Sequence, residues 1–489
     1  MKNEFISQKK HMTVLLSIFI YINLIQIITV YSQSDSLFNY LEIAAKNNPG
    51  VLQKFTEYKA ALEKIPQVGS LSDPELSLGV FLKPMELVNG NQVADIRLMQ
   101  MFPWFGVLRN ARDEMSLMAN AKFELFRDAK LQVYYDVQRT WYELFKVRKD
   151  IAISEKNIEI LKTIERLTLV KFKSPSSGST GTTYASPGIS SVSAQSNSAG
   201  SGSMQTMGTG EGNSASTVSN QPSPQMQTSS MGSSQGNTGL ADLYRIQIET
   251  GDLENNIALL KNQSNTIAAR FNSYLNRKPV EPVFTGEVLA ADSLRFSLLA
   301  VSDSILAKNP MLSMLGYEMQ SLDSRKKMVT AMGFPMVGLG LNYSLISKSE
   351  MSTSSMNGKD MIMPMVTITL PIYRKKYNAM QREADLLKSA TSQNYEATAN
   401  SLQTEYFQAI QLFQDAQRRV ILYENQYQLA SKSFDLTLKA FSTSSSGLTD
   451  VLRVRQQTFD YEFKQVEAVA DLNTSIAWLK RLMAFSQIQ

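Results

Sequence analysis

Residues 100–112 read QMFPWFGVLRNAR. On the N-terminal side, ADIRLMQM (94–101) alternates with period two: Ala94, Ile96 and Leu98 oppose Asp95, Arg97 and Met99, as along a strand. On the C-terminal side no Gly or Pro occurs from Val107 to Lys173, and Val137, Trp141, Leu144, Val147 and Ile151 recur at threes and fours. That is a helix period, and at 1.5 Å per residue the run reaches roughly 100 Å. A stripe of this kind needs partner helices, as in a coiled coil. The fold must therefore join a short strand directly to a very long helix.

The same junction occurs again. TLPIYRKKYNAM (369–380) answers MFPWFGVLRNAR (101–112), with Asn378-Ala379 matching Asn110-Ala111. NNPGVLQ (47–53) answers KNPMLSM (308–314), and the prolines Pro49/Pro74 and Pro310/Pro335 share one spacing. Each half closes on a Gly-Leu-x-Asp turn, Gly239-Leu240-Ala241-Asp242 and Gly447-Leu448-Thr449-Asp450. The chain reads as an internal duplication: residues 33–285, then 286–489. Each half is expected to run helix, strand, strand, long helix, turn, returning helix. The strands are expected at about 75–83, 93–102, 335–346 and 361–371, and the long helices at 104–173 and 372–444. The first half carries an insert, 174–238, of Ser, Gly, Thr, Gln and Asn with Glu211 as its single charge. Such a segment cannot bury enough apolar surface to fold alone, and it is expected to be disordered.

The strands alternate cleanly. Val337, Leu339, Leu341, Tyr343 and Leu345 oppose Met336, Gly338, Gly340, Asn342 and Ser344. Ile362, Pro364, Val366 and Ile368 oppose Met361, Met363, Met365 and Thr367. Alternation allows either two hairpins of a soluble sheet or strands that cross an outer membrane, where about 9–11 tilted residues suffice. Two features favour the membrane. A soluble hairpin rarely feeds a 70-residue helix, and aromatic residues mark the exits. Trp104 and Phe105 follow one hairpin and Tyr373 the other, where an interfacial belt belongs. Pro103 and Pro371 lack an N–H, so each suits the end of a ladder and the first turn of a helix. Four strands cannot close a barrel, so other copies must complete it.

Composition narrows the chemistry. The chain has 489 residues, a net charge of +5, no Cys and a single His, His11. Lys2, Lys9 and Lys10 precede an apolar stretch, TVLLSIFIYINLIQIITV (13–30), so residues 1–32 read as a signal peptide; an uncleaved anchor is the alternative. The processed chain then has no His or Cys metal site and no Ser-His or Cys-His catalytic pair, which argues against an enzyme. Lys and Arg are interspersed with Asp and Glu, so no nucleic-acid stripe is present.

These features together resemble the TolC family of outer-membrane efflux channels. The residues that carry the resemblance are the duplicated NNP/KNP, the junctions QMFPWFGVL and LPIYRKKY, and the two GL-x-D-x-x-R tips. It covers about 35–489 apart from the insert. It implies a mainly α fold with transmembrane β: four strands per protomer in a 12-strand trimeric barrel, continued by a long periplasmic α-helical barrel. The implied location is the cell outer membrane. The implied partners are two further copies, a periplasmic adaptor and an inner-membrane pump of the RND type, with no cofactor. It further implies that residues beside the tips constrict the pore: Gly239, Leu240, Asp242, Tyr244 and Arg245 in the first hairpin, and Gly447, Leu448, Asp450, Arg453 and Arg455 in the second. A carboxylate and a guanidinium on neighbouring hairpins could pair and hold the mouth closed. Alternatively, Asp242 and Asp450 serve only the first turns of the returning helices.

Methionine is the one clue to cargo. The chain has 24. Met204, Met207, Met226 and Met231 lie in the insert, and Met361, Met363 and Met365 share the polar face of one strand with Met336 of another. Thioethers are soft ligands that suit Cu(I)-like ions. Methionine is also an adaptable filler. The expectation is a heavy-metal duct of the Cus-type copper/silver branch. The rivals are a drug or multidrug efflux duct, a type I protein-secretion channel, and a soluble periplasmic coiled-coil scaffold.

Overall fold

The computed structural model describes residues 37–173, 238–293, 298–443 and 446–485. The expected signal peptide and the insert, apart from Thr238, lie outside these residues, as do Met204, Met207, Met226 and Met231.

Each half opens with two short helices, α1 (Leu37–Asn47) and α2 (Pro49–Gly69) in the first, α5 (Leu298–Lys308) and α6 (Pro310–Met332) in the second. The repeated Asn-Pro is a helix start. Asn48 accepts hydrogen bonds from the backbone N–H groups of Gly50 (2.9 Å) and Val51 (3.2 Å), and Asn309 accepts one from Met311 (2.9 Å). In each case proline follows at the first helical position, where its missing N–H costs nothing. Asn48 also donates to the carbonyl of Tyr274 at 2.9 Å, satisfying one of the orphan acceptors at a helix end.

Strands β1 (Glu75–Leu87), β2 (Gly90–Phe102), β3 (Met336–Ser347) and β4 (Met361–Thr369) form one antiparallel sheet in the order β1-β2-β3-β4. The two hairpins are thus neighbours in one sheet, joined along β2 and β3. The first hairpin extends beyond the clean alternation: its ladder resumes at Met85 after a register shift that follows Val80.

The long helices are α3 (Val107–Lys173) and α7 (Arg374–Ser442), and the returning helices are α4 (Thr238–Tyr274) and α8 (Leu448–Leu482). Two expectations are corrected here. Helix α3 starts at Val107 and not at 104, because Trp104 to Gly106 form a turn in which Gly106 takes φ +91°. Neither Pro103 nor Pro371 occupies a first helical turn. Each sits between strand end and helix start, where the chain changes direction.

Each half builds its own core from its first short helix and its long and returning helices. Val137, Trp141, Leu144 and Val147 of α3 pack with Tyr40 of α1 and Phe271 of α4, whose rings meet edge to face at 5.1 Å. In the second half Ile305 of α5 joins Leu402 and Phe413 of α7 and Ile476 and Leu479 of α8. A fully buried side chain of this size stabilises by about 1.5–3 kcal/mol, so these layers anchor the returning helices. The described residues divide into two units, one within Met1–Ile160 and Thr250–Gln489 and the other within Leu161–Glu249. Among the described residues no helix is long and apolar enough to cross a membrane.

Candidate functional site

The register sorts the sheet into two faces of opposite character. Leu78, Ile96, Tyr343 and Ile362 form one row across the four strands, and Leu76, Leu98, Leu341 and Pro364 form another. The alternate rows are Gly79, Asp95, Ser344 and Met361; Ser77, Arg97, Asn342 and Met363; and Glu75, Met99, Gly340 and Met365. The apolar face is largely exposed, unlike that of a sheet dissolved in water, and on the polar face only the central strand β3 buries its side chains. Leu78 is 68% exposed, Val366 67% and Ile362 62%, while Asn342 and Ser344 on the other face are 8% and 6% exposed. Soluble chains rarely leave so continuous an apolar surface bare. It suits hydrocarbon, with the polar face turned to a lumen. β1 and β4 are the edges of this sheet, so each has one ladder side unpaired.

Aromatic residues gather where strands meet helices. The Trp104 ring stacks on Phe334 at 5.4 Å and 19° and meets Phe105 edge-on at 5.9 Å. Phe105 and Tyr373 are almost fully exposed, and Ile372 is exposed beside Pro371. Such rings suit the level of lipid headgroups.

The far ends of the helices hold the candidate tip residues. In the first hairpin Thr238, Gly239 and Leu240 already belong to the opening turn of α4. Burial raises the Asp242 carboxyl above its ordinary pKa, and the nearby Arg245 opposes that shift. Tyr244 is exposed. Gln247 donates to Glu165 of α3 at 3.0 Å. In the second hairpin Gly447 stands at the N-cap of α8 without a side-chain bond, Leu448 is buried, and Asp450 lies in the first turn. Asp450 accepts from Arg453 of the same helix at 3.0 Å, both side chains being largely exposed. That pair is thus formed within one turn.

Arg455 lies elsewhere. It is 5% exposed, and its Nε–H donates to Asn157 Oδ1 of α3 at 2.6 Å. Its guanidinium lies 5.5 Å from the Phe434 ring centroid on α7, and its Nη2 finds no hydrogen-bond partner. Burial lowers its pKa, opposed by Glu462 and Tyr427. A cation held by one neutral oxygen and a ring face joins the first hairpin to the second. Neither Asn157 nor Phe434 was visible as a site residue in sequence. An Asn within a long helix carries no local signal, and its meaning comes from a partner 298 positions away.

A second polar group lies farther along the same helices. Lys146 of α3 pairs with Glu467 of α8, and Arg419 of α7 pairs with Asp471 of α8 at 3.0 Å. Asp150 is buried beside them, and its Oδ1 has no hydrogen-bond partner. Burial pushes its pKa up to about 7, against the attraction of Lys146 and with the help of Glu467. Among the described residues no group of three His, Cys, Asp or Glu could hold a metal ion.

Solved structures share this architecture over nearly the whole chain. The outer-membrane protein VceC from Vibrio cholerae matches with a TM-score of 0.64 at 11% identity, covering 92% of this chain and 97% of VceC. The Campylobacter jejuni outer-membrane channel CmeC matches with 0.62 at 13% identity, covering 93% and 87%. CusC, described for its folding and transmembrane channel formation, matches with 0.64 at 12% identity, covering 92% of each chain. The fold is the one these outer-membrane channels share. No protein-family model matches the sequence, and no curated protein does. What this chain shares with them is the fold, here one four-stranded antiparallel sheet and two long helices, each followed by a returning helix.

Proposed function

We propose that the chain is the outer-membrane exit duct of a tripartite efflux system, a passive conduit and not an enzyme. Three copies would align their edge strands into a 12-strand barrel, with β4 of one copy pairing β1 of the next, and their helices would continue the duct through the periplasm. One observation carries this reading: the sheet bares a continuous apolar face across all four strands and leaves both edges open. Open edges in lipid cost several kcal/mol per unpaired group, so the chain is incomplete alone. The likeness to VceC, CmeC and CusC supports the same architecture. Purified protein reconstituted into a planar bilayer should conduct ions. A water-soluble monomer without conductance overturns the proposal.

The tips would dock on a periplasmic adaptor coupled to an RND-type pump, with Asp242 and Arg245 of the first tip, and Asp450 and Arg453 of the second, as candidate gate residues. For cargo we propose heavy-metal cations such as copper or silver, supported by the methionines on the polar face of the sheet. Deleting the gene should reduce tolerance to copper and silver. If it reduces tolerance only to a dye, the cargo is a drug-like molecule, and the duct proposal still stands.

A further inference from the structure

Two further methionines, not among the soft-ligand candidates, face the same way as those do. Met99 and Met101 of β2 fall on the polar face, and the register places Met99 opposite Gly340, which in turn faces Met365 of β4. Met101 faces Gly338 one step nearer the helices. The two glycines of β3 leave an open floor between methionines on either side. The Met101 thioether already leans over it: a Cβ on Gly338 would come within 2.6 Å of that sulfur. Met365 leans in from the other strand, its methyl carbon 3.6 Å from the Cβ position of Gly340. Strands lie about 4.8 Å apart, so Met99 and Met365 start roughly 10 Å apart, a span two extended thioethers close around one ion.

Charge on the same face supports a cation. Glu75 of β1 pairs with Met99, so the row reads carboxylate, thioether, glycine, thioether. Arg97 lies in the next row away from the helices, with Asp95 beyond it on the same strand and face. The local positive charge therefore has a carboxylate on each side.

We propose that Met99, Met101 and Met365 form a thioether site for a monovalent soft ion, Cu(I) or Ag(I), over the Gly338–Gly340 floor, with Glu75 in the same row supplying negative charge. The inference rests on the duct reading, in which this face lines the lumen. Thioethers bind such ions without deprotonation and hold them loosely enough to let them go, as a conducting pathway requires. A side chain larger than glycine at 338 or 340 would cap the floor.

The test uses the full-length protein in detergent, with Ag(I) as the probe. The background variant carries Met204, Met207, Met226 and Met231→Leu, so that the insert contributes no thioether. Ag(I) is titrated by calorimetry into this variant and into one that also carries Met99→Leu, Met101→Leu and Met365→Leu. Leucine keeps the volume, so assembly should persist. The expected result is loss of the tightest equivalent of Ag(I) per chain, with a fall of at least about tenfold in the affinity that remains. An unchanged isotherm overturns the site. Should the second variant fail to assemble, the single variants Met99→Leu, Met101→Leu and Met365→Leu in the same background decide: a weakened tightest equivalent in any of them supports the site, and three unchanged isotherms overturn it. Metal tolerance of the deletion strain separates this site from the cargo reading. Normal tolerance with Ag(I) binding lost in the variant refutes the cargo and keeps the site. Metal sensitivity with an unchanged isotherm keeps the cargo and removes the site.

Discussion

Arg455 of the second hairpin donates to Asn157 of the first at 2.6 Å, inside the helix packing and out of contact with water. A hydrogen bond to a charged group is worth about 1.5–3 kcal/mol, which corresponds to roughly 10–100-fold in an equilibrium. If opening of the duct separates the two hairpins, Arg455→Ala should raise the open fraction by about that factor, read as higher mean conductance in bilayers. Asn157→Asp should lower it, because a carboxylate meets the buried guanidinium. The Asp450–Arg453 pair makes the contrast. An exposed pair contributes about 0–1 kcal/mol, so Asp450→Ala with Arg453→Ala should open the channel far less. A larger effect from that double variant would move the lock to the tip surface.

Asp150 predicts a pH dependence of stability. Its pKa rises from the carboxylate value of 3.8 to about 7 in the folded chain, chiefly by burial. The folded state therefore binds the proton more tightly than the unfolded one. This contribution is fully present below pH 3.8 and is lost as pH rises through about 7. Asp150→Asn, which cannot ionise, should raise stability at pH 8 by about 1–3 kcal/mol and change it little at pH 4. Thermal unfolding of the detergent-solubilised protein at the two pH values checks this. An equal shift at both would assign the effect to packing.

Ile362 and Met363 are neighbours on β4 that face opposite sides of the sheet. Ile362→Arg should abolish outer-membrane assembly, since an arginine facing lipid at the midplane costs about 2–4 kcal/mol. Met363→Arg should assemble and shift the pore toward anion selectivity. Heat-modifiable migration of the assembled trimer and reversal potentials in a salt gradient report the two outcomes.

Gly90 opens β2 with φ +120°, and an added Cβ would stand 2.5 Å from the carbonyl oxygen of Ser347. Beside it the loop after β3 is tied to the first turn: Gly358 N–H donates to Asn89 O at 3.1 Å and Ser352 Oγ to Val88 O at 2.6 Å. Gly90→Ala should cost about 1–3 kcal/mol of strain and loosen both connections. Faster protease cleavage within 348–360 on intact cells is the expected sign.

The α-with-β fold was legible because its signals are local and periodic. Period two marked the sheet strands at Leu339–Leu345 and Leu76–Val80, and the threes and fours of Val137–Val147 marked a buried stripe. The junction misled where one residue overrode the pattern. Gly106, with its positive φ, delays α3 past the turn after Pro103, and period alone does not register a single left-handed residue. The polar side of the site was only half legible. Met361, Met363 and Met365 stand on one strand, where alternation reveals them. Their relation to Met99 and Met101 depends on the pairing of β2 with β3 and of β3 with β4, and pairing across some 240 residues leaves no mark in a local window. Arg455 with Asn157 and Asp150 with Glu467 are hidden for the same reason.

The open margins of β1 and β4 also bear on genetics. If each seam joins two different polypeptides, an allele crippled at either margin would do more than fail by itself. Mixed with normal chains, it would enter most assemblies and leave a leaking join in each. Such an allele should behave as a dominant poison, whereas a simple absence of the gene should be recessive.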